Sequence, residues 1–157
     1  MTPPSMPVCV WMEKRALASR WVTHEWHAAA VTLEGAPDQE GGAPGWIAHA
    51  GHRVSLHRDE AEGYYLNTSS GDPKVFVMWR LEEATDGVEE AAVPRFVTLS
   101  YNEAGRLMDA QEKVETVPIP PAMLAWLEAY VAENYKPEPK KKRARSSFVS
   151  PADRSKL

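Results

Sequence analysis

Short stretches of period-two hydrophobicity alternate along this chain with breaks rich in Gly, Pro and acid. Val8, Val10 and Met12 alternate with Cys9, Trp11 and Glu13, the pattern of a half-buried strand. Residues 14–19 interrupt it, and it resumes over Arg20–Glu34. That stretch is long for one strand, so either a bulge near Glu25 or a helical turn in the Ala28–Ala30 run is open. A Gly, Pro and acid-rich loop at 35–45 precedes a short strand over Trp46–Ala50, a turn at Gly51 and a strand over Arg53–Arg58. Residues 59–63 read as a hairpin loop leading to a strand over Tyr64–Thr68, and residues 69–73 as the next turn. The apolar run Lys74–Leu81, KVFVMWRL, predicts a central strand buried on both faces. An acidic loop at 82–94 leads to a strand over Arg95–Tyr101, and Asn102 is placed to cap a short helix ending at Met108 or Ala110. Glu112–Pro118 is the last strand.

The strongest helix follows. Pro120 and Pro121 suit a helix entrance, because the fixed φ of Pro is already helical and its missing N–H would be unpaired there. Met123, Leu124, Leu127, Tyr130, Val131 and Asn134 then form an i, i+3, i+4, i+7 stripe, and Pro137 and Pro139 stop it. Burying each large side chain is worth about 1.5–3 kcal/mol, so the stripe reads as a lid on a strand-rich body; the other reading is an exposed helix that docks a partner. The expected fold is α+β, mainly β. It is an antiparallel sheet or partly open barrel of seven to eight short strands, capped by a C-terminal helix at about 120–135. A seven-stranded pleckstrin-homology shape fits that order by analogy.

Composition sharpens the picture at two points. The 157 residues fit one domain: residues 1–7 as a disordered N-terminus, 8–135 as a single globular domain, and 136–157 as a basic, disordered tail. Six Trp, at positions 11, 21, 26, 46, 79 and 126, mark a small core anchored by large rings. The net charge of −4 hides a division, since residues 1–135 hold 10 Lys/Arg against 20 Asp/Glu and residues 136–157 hold 8 against 2. A single cysteine, Cys9, excludes an internal disulfide and a four-Cys zinc site and reads as a buried thiol. With no apolar run of membrane-span length and no signal-peptide pattern, the expectation is a soluble, cytoplasmic protein.

Signals for chemistry are few. All five histidines lie at 24–57, but His24 and His27 face opposite sides of a regular strand, and His49, His52 and His57 converge only if neighbouring strands bring them together. No metal or cofactor is assigned, and no catalytic residue. His57-Arg58-Asp59 matches a kinase triplet in letters only, and phosphate-binding, dinucleotide and nucleophile-elbow motifs are lacking. The basic tail residues Lys140, Lys141, Lys142, Arg143 and Arg145 suit nucleic acid or another anionic surface, or a nuclear import signal, and the final Ser-Lys-Leu matches a peroxisomal address.

Three segments carry a resemblance: VCVWMEKRALASRWVTHEWHAAAV, SLHRDEAEGYYLNTSSGDPKVFVMWR and RFVTLSYNEAGRLMDAQEKVETVPIPPAMLAWLEAYV. They resemble an uncharacterised proteobacterial domain-of-unknown-function family, encoded beside genes for molybdenum-dependent formate dehydrogenases and their maturation factors. Its most specific marks here are Glu13-Lys14-Arg15 with Arg20-Trp21, His57-Arg58 with Glu62 and Tyr65–Asn67, and the Pro corner at 117–121 with Trp126. The resemblance implies a non-catalytic accessory or assembly protein. It would bind a formate dehydrogenase subunit or maturation factor, with Arg15, Arg20, Trp21, His57, Arg58, Tyr65 and Asn67 as a polar-aromatic partner patch. The alternative is a nucleic-acid or anionic-surface module working through the basic tail, and a third reading is a metal enzyme built on the histidines.

Overall fold

A computed structural model describes residues 2–35 and 43–136. Ten elements follow one another: β1 (Ser5–Ala16), β2 (His24–Leu33), β3 (Trp46–Ser55), a 3-10 turn (Arg58–Glu60), α1 (Ala61–Thr68), β4 (Lys74–Glu82), β5 (Ala91–Thr98), α2 (Tyr101–Asp109), β6 (Lys113–Pro118) and α3 (Pro121–Asn134). They form two three-stranded antiparallel sheets, ordered β2-β1-β3 and β5-β4-β6. Each sheet turns an apolar face inward. Val8, Val10 and Met12 of β1 are fully buried, as are Val75 and Val77 of β4, and all five belong to one core. β4 is the central strand of its sheet and is buried from Val75 through Trp79, as its apolar run predicts.

The α3 stripe seals that core. Pro121 stands at its entrance, Met123 and Leu127 are fully buried, and Trp126, Tyr130 and Val131 pack against the cluster. Its last turn meets α1, where Tyr64 meets Tyr130 edge to face at 5.9 Å and Tyr65 stacks on Tyr135 at 4.7 Å. α2 begins two residues earlier than its sequence indicates, because the Ser100 hydroxyl accepts from the Glu103 N–H and makes Ser100 the cap in place of Asn102.

The expected single sheet or barrel of seven to eight strands is overturned. Six strands make two separate sheets, with no closed barrel among the described residues. Two strand assignments account for the count. Trp46–Ala50 and the Arg53–Ser55 part of the Arg53–Arg58 strand are one strand, β3, because Gly51 at φ +88° forms a bulge where a turn was expected: Val8 faces His52 and Val10 faces His49, leaving Ala50 and Gly51 opposite Cys9. The Tyr64–Thr68 segment is the helix α1 and not a strand. Its aromatic residues favour strands, but Ala61, Tyr64 and Asn67 recur at helical spacing and are all buried, so packing overrides propensity. A further bulge falls at Ala29, between the Trp11–Ala30 and Met12–Ala28 pairs, four residues from the expected position. β1 starts at Ser5, inside the stretch read as a disordered N-terminus.

β2 and β6 are the neighbouring edges of the two sheets, yet the Ala28 N–H of β2 donates to a Glu115 carboxylate oxygen at 2.8 Å, where a ladder would need a β6 carbonyl. A side chain holds the seam.

Candidate functional site

The Glu115 seam opens into a cleft of about 640 Å³ at the end of the molecule where β1 turns into β2. Its floor comes from β2 (Glu25, Trp26, His27), β4 (Trp79, Leu81), β6 (Lys113, Val114, Glu115) and the end of α2 (Met108). A smaller cavity of about 370 Å³ adjoins it and shares Val22, His24, Trp26 and Glu90; Trp21 and Lys14 complete its wall. Two hairpin connections flank the opening, the β1–β2 turn on one side and the acidic β4–β5 turn on the other.

The β1–β2 turn is ordered by its own chemistry. Ser19 Oγ accepts from the Trp21 and Val22 N–H groups, and the Leu17 N–H donates to the Thr23 carbonyl. That geometry projects Trp21 into solvent at 89% exposure, with Leu17 and Val22 also exposed. The other five tryptophans are buried or partly covered. Leaving a large ring in water forgoes roughly 1.5–3 kcal/mol of burial.

At the floor, Glu115 gathers three donors. Its carboxylate accepts from Trp79 Nε1 at 2.6 Å, from the Ala28 N–H at 2.8 Å and from His27 Nδ1 at 2.8 Å, while His27 Nε2 lies 3.3 Å from Glu25. The Glu115 hydrogen bond, with Glu25 behind it, raises the His27 pKa above its ordinary value. Arg20 is exposed on the turn, and the other cations nearby have contacts. Lys14 stands 5.6 Å from the Trp26 ring centre and Lys113 stands 4.8 Å from that of Trp79; Arg80 reaches Glu112 at 2.6 Å and Arg15 reaches Glu13 at 3.0 Å. Glu89 and Glu90 on the opposite rim have no ion-pair partner among the described residues.

The seven residues expected to form one patch lie in two groups. Arg15, Arg20 and Trp21 belong to the cleft end. His57, Arg58, Tyr65 and Asn67 lie at the opposite end, because β1 starts beside Ser55 and Arg15 is about 33 Å further along it at roughly 3.3 Å per residue. Within the second group, His57 and Arg58 line a surface cavity with Pro3, Pro4 and Tyr130, and Tyr65 stacks on Tyr135. Asn67 is buried: its Nδ2 donates to the Lys74 and Leu99 carbonyls at 2.8 and 2.9 Å, and its Oδ1 accepts the Lys74 N–H at 2.9 Å. Those bonds tie α1 to β4 and to the residue that follows β5. The basic run Lys140, Lys141, Lys142, Arg143 and Arg145 lies outside the described residues.

Sequence reasoning missed Glu115, Trp79 and His27 as one constellation. The β4–β6 pairing brings Trp79 beside Glu115, and the packing of β2 against that sheet adds His27. Among the described residues, no group of three His, Cys, Asp or Glu side chains is placed to hold a metal ion. Cys9 is buried, and burial pushes its thiol pKa up. No helix among the described residues is long and apolar enough to cross a membrane.

A family described as "Protein of unknown function (DUF3305)" matches residues 7–144. No curated protein and no solved structure matches.

Proposed function

The chain belongs to that family of unknown function, and from this premise we propose that it is a non-catalytic accessory protein that docks a protein partner through the Trp21 end. The observation that carries the reading is the 89% exposure of Trp21 on an ordered turn. Trp, Tyr and Arg are the side chains that most often dominate binding energy at interfaces, and Arg20 precedes Trp21 directly. The partner class follows from the resemblance to proteins encoded beside molybdenum-dependent formate dehydrogenases: a dehydrogenase subunit or one of its maturation factors, met in the cytoplasm.

The test is affinity capture from a formate-grown native host with the full chain and with Trp21→Ala. The full chain is expected to recover an identified dehydrogenase subunit or maturation factor, and Trp21→Ala to recover at least about tenfold less, the size of an interface anchor. Recovery of neither class by the full chain, or equal recovery by the variant, overturns the proposal. Melting temperatures of the two proteins should agree, because Trp21 contributes little to the core.

A further inference from the structure

Four exposed apolar side chains converge on the cleft from three elements. Trp21 and Val22 come from the β1–β2 turn, Leu81 from β4 and Met108 from α2, with exposures of 89%, 51%, 40% and 50%. An apolar surface assembled in this way and rimmed by charge is the anatomy of a docking site. The rim is on balance acidic. Lys14, Lys113, Arg80 and Arg15 already have partners, and exposed Arg20 on the β1–β2 turn faces two carboxylates, Glu89 and Glu90, that are not paired among the described residues.

We propose that the cleft receives a basic segment with an apolar anchor from a partner protein. The anchor seats against Trp21, Val22, Leu81 and Met108, and Lys or Arg side chains of the segment meet Glu89 and Glu90. This rests on the docking role proposed above and names the chemistry of the occupant. An acidic segment would bring like charges to the rim, and a purely apolar one would desolvate two carboxylates without replacing their water. The chain carries a basic run of its own at 140–145, but α3 ends at the opposite end of β1, beside Pro4 and Leu56. The nine steps from Lys136 to Arg145, at no more than about 3.3–3.6 Å each, fall just short of that distance even when fully extended. Occupancy from within the same chain is therefore disfavoured by reach.

Two labelled peptides of equal length, one alternating Lys and Leu and one alternating Glu and Leu, are titrated against the full chain by fluorescence anisotropy at low and high salt. The Lys-Leu peptide is expected to bind saturably, to weaken as salt rises and to quench Trp emission. Trp21→Ala, and separately the double change Glu89→Lys with Glu90→Lys, should each weaken it at least about tenfold. All three positions are exposed, and matching melting curves confirm that the variants are folded. Equal binding of the Glu-Leu peptide, or unchanged affinity in the Glu89→Lys, Glu90→Lys protein, overturns the inference. So does self-association of the full chain that a peptide of residues 136–147 competes away, since the occupant would then be a second copy. If the peptides fail while Trp21→Ala still loses its identified partner in the capture experiment, the docking role stands and only the chemistry assigned here falls.

Discussion

Glu60 and Gly63 show how little room the α1–α2 contact leaves for change. Glu60 is nearly buried, accepts the Ser100 hydroxyl at 3.0 Å and meets the Arg106 guanidinium at 2.5 and 2.9 Å. Ser100 Oγ also accepts from the Glu103 N–H, so it is held from two sides. A Cβ on Gly63 would lie 2.1 Å from that oxygen, 3.1 Å from Ser100 Cβ and 3.2 Å from the Asn102 nitrogen. Two effects oppose each other in Gly63→Ala. Helix propensity favours Ala by about 1 kcal/mol, while forcing a methyl into a packed contact costs about 1–3 kcal/mol and here also breaks the Ser100 cap, worth about 1 kcal/mol. The clash prevails. Gly63→Ala is expected to lower unfolding free energy by roughly 1–3 kcal/mol in urea titration, and an unchanged midpoint would refute the account.

At the scale of elements, α3 and α1 teach opposite lessons. The α3 stripe was legible from spacing alone, and its boundaries, Pro121–Asn134, match the reading to within a residue or two. Leu127 is fully exchanged from water into the core, so Leu127→Ala should cost about 2–5 kcal/mol. Glu128→Ala, one position on and exposed, should stay within about 0.5 kcal/mol by the same thermal or urea measurement. Similar losses for both would mean that α3 is not the lid. The strand reading of α1 follows from Tyr64, Tyr65 and Thr68, which are local strand formers; the evidence for a helix lies in which of these side chains finds a core neighbour. β3 was misread for a related reason: a Gly at positive φ marks a turn or a bulge equally well in sequence, and only the pairing with β1 decides which.

For the whole molecule, the decisive feature is a seam between two sheets closed by side chains. His27 on β2 and Glu115 on β6 join across it, with Glu25 beside them, Glu13 on the adjacent strand and Arg15 close enough to influence both Glu25 and Glu115. A raised His27 pKa means that the folded state holds the proton more tightly than the unfolded chain. The contribution is therefore full below the ordinary value of 6.5 and disappears as pH rises through the higher folded value. His49 and His52 are shifted down by burial and act in the opposite sense, favouring the fold less as pH falls. Comparing the wild-type chain with His27→Gln cancels them. The stability advantage of the wild type should be largest near about pH 6 and shrink towards about pH 8, and it should stay below about 1 kcal/mol because the pair is partly solvated. A constant difference across that range in urea titrations would exclude a protonated His27 bridge.

The sequence alone determined the mainly β character, the central apolar strand β4, the α2 segment and the α3 lid, because each is written in local periodicity and in the placement of Pro and Gly. Trp21 and Arg20 were marked through the family resemblance that their segment carries. Tertiary structure decided how many sheets there are, which residues stand together and which tryptophan stays in water. Separation in sequence says nothing about whether Glu115 will meet His27 and Trp79, and composition does not distinguish a core Trp from an exposed one. Those facts arise only when the two sheets pack and the Ser19 turn leaves Trp21 outside, which is why the cleft and its seam had no signature along the chain.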